Sequence, residues 1–394
     1  MRVLIVGASL AGFRTVQSLR ALGSDAQITM IGDEIHLPYD RPPLSKAVLL
    51  GKVETPELAL ATPEELVDLD VDLRTGVEAV DLSVAERTVT MRDGSNLSAD
   101  SVVIATGARA RNLAGTEHLS NVYVLRSLDD ALAIRDAMSR ARRLVVIGSG
   151  FIGSEVASVG CDLGLEVTVI EAMSTPMARV LGPRIGGLLG SFHGEAGSDL
   201  LCGVTVASFV ADHGVAHAVE LADGRSIAGD IFVVGVGSLP NTEWLQGSGI
   251  DIADGVLCDD RGRVIGAGGV YAAGDVARWM VPGQGAPIRT EHWTAAGEEA
   301  AVIAANIVGA ESVPNSVPYV WSDQFGHRIQ VIGRPGPQHD VHLLSDRSSG
   351  VAALTGVDGV VTGAVVVDQP KMFGKLRRLV VGAAPWIDAV AAYP

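Results

Sequence analysis

The chain has 394 residues with 46 acidic and 30 basic side chains, a formal net charge of −16 that disfavours phosphate polyanions and so argues against nucleic acid as a partner. Hydrophobic residues reach 47%, yet Gly, Asp, Glu or Arg cuts every apolar run before the roughly 20 residues a membrane-spanning helix needs, so no membrane partner is expected. The three cysteines, Cys161, Cys202 and Cys258, lie far apart without C-x-x-C spacing; they read as buried structural thiols, and no metal site is expected.

Arg2–Val6 is an apolar β-forming run that meets glycine at once, which predicts a core strand and not a signal peptide and points to a cytoplasmic location. Gly7-Ala8-Ser9-Leu10-Ala11-Gly12 follows, then a helix over 11–22 and a second strand over 27–31. Gly7 permits a tight turn, and the small Ser9 and Ala11 let backbone N–H groups approach a pyrophosphate at the helix N-terminus. Gly12 allows close helix–strand packing, while Ser9 stands where the general pattern has glycine. An acid ending the second strand would bind a ribose hydroxyl. Gly32 occupies the strict position, which leaves Asp33 or Glu34; Asp33, one place late, is preferred.

Pro38 to Lys46 is a stiff, proline-rich loop expected to enter a helix at Ser45. Short strands are expected at 77–80, 87–91 and 101–104, with a hairpin turn at Asp93-Gly94 and the turn Ala105-Thr106-Gly107 after the last. The pattern of residues 2–33 then returns: strand 143–147, Gly148-Ser149-Gly150-Phe151-Ile152-Gly153, helix 151–163, strand 166–170 and Glu171. A carboxylate at Glu171 accepts from both ribose hydroxyls and would repel a 2′-phosphate, which favours NADH over NADPH. Arg179, eight residues on, is placed to meet a phosphate instead. The stretch Gly182 to Gly187 is unusually glycine-rich for a helix.

A second β-meander, with Asp223-Gly224, is expected over 204–234. The run from Val270 to Asp275 reads as a strand ending in Gly274-Asp275, where the carboxylate can bond a ribityl hydroxyl of a flavin and Gly274 admits a close approach. With a flavin in prospect, Lys46 is either a solvated lysine or a cation beside the ring, where it would stabilise the reduced form. From about Val317 prolines interrupt the pattern, and short strands at 328–332, 341–344 and 363–367 indicate a small α+β domain. The expected fold class is therefore α/β: two Rossmann-like nucleotide-binding domains with inserted β-meanders, plus a small α+β C-terminal domain. The expected segments are 1–109 with 237–318 for the first nucleotide-binding domain, 110–236 for the second and 319–394 for the C-terminal domain.

Both glycine motifs, Arg41-Pro42-Pro43-Leu44-Ser45-Lys46, Ala105–Gly107, Gly148–Glu155, Gly274-Asp275, Glu291-His292-Trp293 and Trp321-Ser322-Asp323-Gln324 span nearly the whole chain in order. In this the chain resembles the FAD-dependent NADH:ferredoxin reductases of bacterial cytochrome P450 and ring-hydroxylating dioxygenase systems. The resemblance implies a glutathione-reductase-like fold with FAD and NADH as cofactors. It implies FAD contacts at Ala11, Asp33, Lys46, Val77, Arg126, Asp275 and Trp293, with Glu291 and His292 alongside. It also implies that Glu155 faces the nicotinamide, paired with Lys46.

A disulfide reductase or peroxidase of this fold needs a cysteine beside the flavin, and the loop Pro38 to Lys46 has none. Electrons would then leave the flavin directly, one at a time, to a [2Fe–2S] ferredoxin. Such ferredoxins are usually acidic, so a basic patch is needed on an acidic chain. Lys371, Lys375, Arg377 and Arg378 supply one, with Arg289 and Trp321 as further docking candidates; the competing view is a solvated helix face. A monomer or weak homodimer is expected. The alternatives are a rubredoxin reductase or NADH oxidase, or, in another class, a dinucleotide-sensing flavoprotein resembling apoptosis-inducing factor.

Overall fold

The computed structural model describes residues 1–281, 285–345 and 350–393; positions 346–349 and 394 of the expected C-terminal segment lie outside the described residues. The chain forms two compact units. One comprises Met1–Asp40, Thr55–Arg109 and Ser238–Ser316; the other comprises Arg41–Glu54, Ala110–Gly237 and the chain from Val317 onward.

The first unit is built on a five-stranded parallel sheet in the order Val270–Ala272, Ser101–Ile104, Arg2–Val6, Gln27–Ile31, Val71–Arg74. Its central strands are continuous apolar runs because both faces are covered; Val3, Leu4, Ile5 and Val6 are all buried. The helix Leu10–Ala21 turns Phe13, Val16 and Leu19 inward and packs along Trp293–Ile307. A three-stranded antiparallel meander, Ala79–Ser83, Thr88–Met91 and Asn96–Ser98, belongs to this unit, as does a small sheet of Val256–Cys258, Ala277–Trp279 and Ile288–Arg289. The strand expected at 77–80 thus begins two residues later. Val71–Arg74, an edge strand with alternating burial, was not anticipated.

The second unit repeats the plan. Its parallel sheet runs Asp199–Cys202, Glu166–Glu171, Arg143–Ile147, Ile231–Val234, Val122–Val124. A meander of Val206–Asp212, Val215–Leu221 and Ser226–Ala228 is inserted. The glycine-rich stretch is helical, Ala178–Glu195, but breaks at Gly182, which holds φ 76° and is followed by Pro183. Proline has no N–H to give and fixes its own φ, so it suits the first position of the renewed helix.

From Val317 onward an antiparallel sheet runs Tyr319–Gln324, His327–Gly333, Val360–Val367, Val351–Val357, Asp340–Ser345. Its middle strands are apolar on both faces for a definite reason. Val351, Ala353, Val365 and Val367 pack with Leu181, Ile185 and Leu189 of the kinked helix. Ala352, Leu354, Ala364 and Val366 pack instead with Leu376 and Val380 of Pro370–Val381. Among the described residues no helix is long and apolar enough to cross a membrane.

Candidate functional site

In the first unit the candidate cofactor residues gather where the strands Arg2–Val6, Ser101–Ile104 and Val270–Ala272 end, the side of a parallel sheet that admits ligands. Gly7 has φ 119°, and a Cβ there would come within 2.1 Å of the Ala105 carbonyl oxygen, so only glycine is accommodated. A Cβ at Gly12 would lie 2.0 Å from the Gly7 oxygen. Ser9 takes the N-cap position of the helix in extended conformation without a side-chain cap bond, so first-turn N–H groups lacking intrahelical partners can face an anion. Gly32 explains the displaced acid: a Cβ there would meet the Ala8 Cβ at 2.7 Å. The carboxylate therefore moves on to Asp33, which is exposed. Val77 N donates to the Gly32 oxygen over 2.7 Å, which brings Val77 to the same corner.

The Ala105–Gly107 turn is locked by Asn241, whose Nδ2 donates to the Thr106 oxygen (2.9 Å) while Thr106 Oγ1 donates to the Asn241 oxygen (2.8 Å). A Cβ on Gly274 would lie 3.1 Å from the Ala11 Cβ, so the Gly274-Asp275 turn abuts the fingerprint helix. Gly274 N donates to Glu299 Oε2 over 2.8 Å. Glu299, buried on Trp293–Ile307, and Asn241 carry no local sequence signature and were not anticipated. His292 occupies the N-cap position of that helix, and Trp293 Nε1 donates to Asp40 Oδ1 over 2.6 Å, with the Arg14 guanidinium 5.8 Å from its ring centre. A dinucleotide fits this cradle: glycine loop, helix N-terminus, Asp33 and Asp275 are on one side of one sheet.

In the second unit Gly148 has φ 101°, and a Cβ there would lie 2.3 Å from the Gly235 oxygen; one at Gly153 would lie 2.0 Å from the Gly148 oxygen. Gly150 is different, with no atom within 4 Å of its would-be Cβ, so the space beside the loop is open to a ligand. Phe151 is half-buried and Ile152 exposed. Glu171 faces its own fingerprint: Oε2 accepts from Ser149 N (2.8 Å) and Ser149 Oγ (2.7 Å), and Oε1 from Met173 N (2.8 Å). Arg179 is exposed in the first turn of Ala178–Glu195. This loop also fits a dinucleotide.

Glu155 is far from a solvated first-turn acid: it is 3% exposed. Lys46 Nζ donates to its Oε2 over 2.7 Å, and Ser45 Oγ reaches the same oxygen over 2.5 Å. Ser322 Oγ donates to Oε1 over 2.5 Å. The helical turn carrying Lys46 starts at Leu44, one residue before the expected Ser45, and spans Leu44–Val48. Lys46 Nζ also donates to the Pro42 oxygen over 3.0 Å. An ammonium and a carboxylate, each with fixed partners, thus stand one turn beyond Gly150. Of these only Lys46 and Glu155 were anticipated as site residues; Ser45 and Ser322 entered only as members of longer motifs.

The remaining candidates separate. Arg126 is in the second unit, where its carbonyl oxygen accepts from Arg41 Nη1 over 2.8 Å. Lys371, Lys375, Arg377 and Arg378 are all exposed on Pro370–Val381, and spacings of four and three put Lys371, Lys375 and Arg378 on one face. Arg289, in contrast, is largely buried in the first unit and pairs with Glu291 and Asp254. Its charge is locally neutralised, so it does not extend the patch. Trp321 is half-buried and stacked on Tyr319. The cysteines need one correction: Cys258 is buried, but Cys161 and Cys202 are only partly so. Burial nonetheless raises the pKa of all three thiols.

Residues 1–300 match the pyridine nucleotide-disulphide oxidoreductase family and residues 319–393 the reductase C-terminal family. The chain is 39% identical over 381 residues to the ferredoxin reductase component of chlorobenzene dioxygenase from Cupriavidus sp. (strain PS12), covering 96% of this chain and 92% of the relative. It is 38% identical over 381 residues to the ferredoxin--NAD(+) reductase subunit of the benzene 1,2-dioxygenase system of Pseudomonas putida, with the same coverage. Among solved structures, the covalent putidaredoxin reductase–putidaredoxin complex contains a chain superimposable with TM-score 0.93 at 28% identity, covering 100% of this chain and 98% of the other.

Proposed function

The chain belongs to the pyridine nucleotide-disulphide oxidoreductase family, and from that premise we propose that it is an FAD-containing, NADH-oxidising reductase that delivers single electrons to a [2Fe–2S] ferredoxin serving a cytochrome P450 or ring-hydroxylating oxygenase. The observation that carries this reading is the ion pair of half-buried Lys46 with buried Glu155 beside the second fingerprint, in a chain with no cysteine in the segment that carries Lys46. A disulfide-reducing relative needs a thiolate. The segment Arg41–Glu54 holds no cysteine, and burial disfavours the thiolate at Cys161, Cys202 and Cys258.

FAD, when bound, supplies the conversion of a two-electron hydride into single electrons. Gly7, Ser9, Ala11 and Gly12 would hold its pyrophosphate, Asp33 and Val77 its adenosine side, and Asp275 the ribityl chain, with Ala105–Gly107, Gly274 and Glu291–Trp293 closing the cradle. Gly148, Gly150, Phe151, Ile152 and Gly153 would hold NADH, with Glu171 on the ribose hydroxyls. The Glu171 carboxylate is already fixed by three donors, so it would present charge to a 2′-phosphate; this supports NADH over NADPH. Lys46 and Glu155 would stand at the nicotinamide end, where a fixed cation and its counter-charge orient the ring and exclude water. The exposed cations Lys371, Lys375 and Arg378 would receive an acidic ferredoxin. Three free thiols fit a reducing, cytoplasmic compartment, and a monomer or weak homodimer completes the reading.

The test is NADH-dependent cytochrome c reduction by the FAD-loaded enzyme, with and without added [2Fe–2S] ferredoxin. A ferredoxin-dependent gain of at least about tenfold is expected. A negligible gain with several ferredoxins, while NADH still bleaches the flavin, would turn the assignment to an oxidase or a dinucleotide sensor.

A further inference from the structure

The strand Tyr319–Gln324 sends two polar side chains inward. Ser322 is 0% exposed, and Gln324 is buried beside it; two residues apart, they share one face of the strand. Polar groups sealed from water are costly unless bonded, and both are bonded in one direction. Gln324 Nε2 donates to Ser322 Oγ over 2.9 Å, and Ser322 Oγ reaches Glu155 Oε1 over 2.5 Å. An amide NH₂ only donates, an ionised carboxylate only accepts, and a hydroxyl has one proton. The order Gln324 to Ser322 to Glu155 is therefore forced.

On the other carboxylate oxygen sit Ser45 Oγ (2.5 Å) and Lys46 Nζ (2.7 Å). The two oxygens of Glu155 thus have separate tasks. One holds the Lys46 ammonium; the other is pinned from the C-terminal sheet. The last torsion of a glutamate is broad and nearly two-fold, so a carboxylate held at one oxygen alone swings, and whatever is bound to it moves too.

The geometry points to Ser322, oriented by Gln324, as a positioning residue that fixes the Glu155 carboxylate and through it the Lys46 ammonium. The C-terminal domain then reaches the redox chemistry through a hydrogen-bond relay, in addition to any docking of the acceptor. This deepens the proposed function and rests on the Lys46–Glu155 pair standing where hydride is delivered.

The experiment uses FAD-loaded wild-type, Ser322→Ala and Ser322→Thr enzymes. Flavin reduction by NADH is followed in stopped flow, and Lys46 acylation is followed by peptide mass spectrometry before NADH is added. Misplacing a preorganised group by a fraction of an ångström to an ångström costs roughly 10- to 100-fold in rate. Ser322→Ala should lower the limiting reduction rate by about that factor. It should leave the NADH dissociation constant within about threefold and raise Lys46 acylation by severalfold, because the ammonium is held less rigidly. Ser322→Thr keeps the hydroxyl and should restore both readouts.

Equal slowing in Ala and Thr variants, unchanged acylation, or a loss carried by NADH affinity instead of the limiting rate would each overturn the proposal. Should Ser322→Ala fail to fold, Gln324→Met removes only the orienting amide; it must show the same split at smaller size, and an unaltered Gln324→Met enzyme also overturns it. If NADH does not reduce the wild-type flavin at all, the hydride-delivery reading falls. Acylation still decides whether Ser322 positions Lys46.

Discussion

His193 shows how one buried side chain sets a pH limit on the fold. It is 1% exposed, with Ser154 Oγ 3.4 Å from Nε2, Ser198 Oγ 3.3 Å from Nδ1 and the Phe325 ring centre 4.5 Å away. Burial pushes its pKa down from 6.5 to about 4. Between those values the unfolded chain takes up a proton that the folded chain refuses. The stability is therefore fully present above about pH 6.5 and is lost as the pH falls toward 4. At about 1.4 kcal/mol per unit the loss approaches roughly 3 kcal/mol. Urea denaturation at pH 7.5 and pH 5 should show the wild type losing about 2 kcal/mol more than His193→Gln. Equal losses would dismiss the argument. Carboxylates held low by partners, such as Asp230 beside Arg143, act in the same direction but at lower pH, which is why pH 5 is chosen. Residues of this kind are poorly legible in sequence. Lys46 and Glu155 stand 109 positions apart, and their pairing was reached through family resemblance and not through any local pattern. Ser322, Gln324 and Glu299 are ordinary polar residues whose roles come only from what the fold lays against them.

At the scale of the element, legibility follows burial. The strands Gln27–Ile31, Ser101–Ile104 and Arg143–Ile147 were expected to the residue, since inner parallel strands carry unbroken apolar runs. Val71–Arg74 and Asp199–Cys202 were missed; both are edge strands, half exposed and without such a run. The glycine-rich helix Ala178–Glu195 was flagged as odd, and the structure sorts its glycines. At Gly186 a Cβ would lie 2.2 Å from the Pro176 oxygen and 2.6 Å from Thr175 Oγ1. Gly187 has nothing nearer than the Thr175 Cγ2 at 3.8 Å and is exposed. Gly186→Ala should therefore cost about 1–3 kcal/mol by overpacking. Gly187→Ala should stabilise by about 0.5–1 kcal/mol, since an exposed helical alanine is preferred to glycine. Chemical denaturation of both variants checks this, and the same sign in both would refute the distinction between contact and propensity.

For the whole molecule the question is how a chain of net charge −16 would bind a ferredoxin that is itself acidic, as the proposed function has it. At long range the two repel. Within a Debye length, about 8 Å at physiological salt, a local basic face would outweigh that repulsion. The patch was legible because it is local: four cations in the run Lys371 to Arg378. Which of them share a face was not, until the helix Pro370–Val381 put Lys371, Lys375 and Arg378 on one face and Arg377 on another. Reversing Lys375 and Arg378 to Glu together should raise the apparent ferredoxin KM by about tenfold or more and flatten its salt dependence. NADH-driven flavin reduction should not change, because the substitutions touch only encounter with the acceptor. Arg377→Glu alters net charge by the same amount per residue from a different face, so a clearly smaller effect is expected. If Arg377→Glu weakens ferredoxin binding as much per charge as the pair, the chain's total charge governs association and the face has no special part. If neither changes KM, ferredoxin docks elsewhere and the basic helix face is simply solvated.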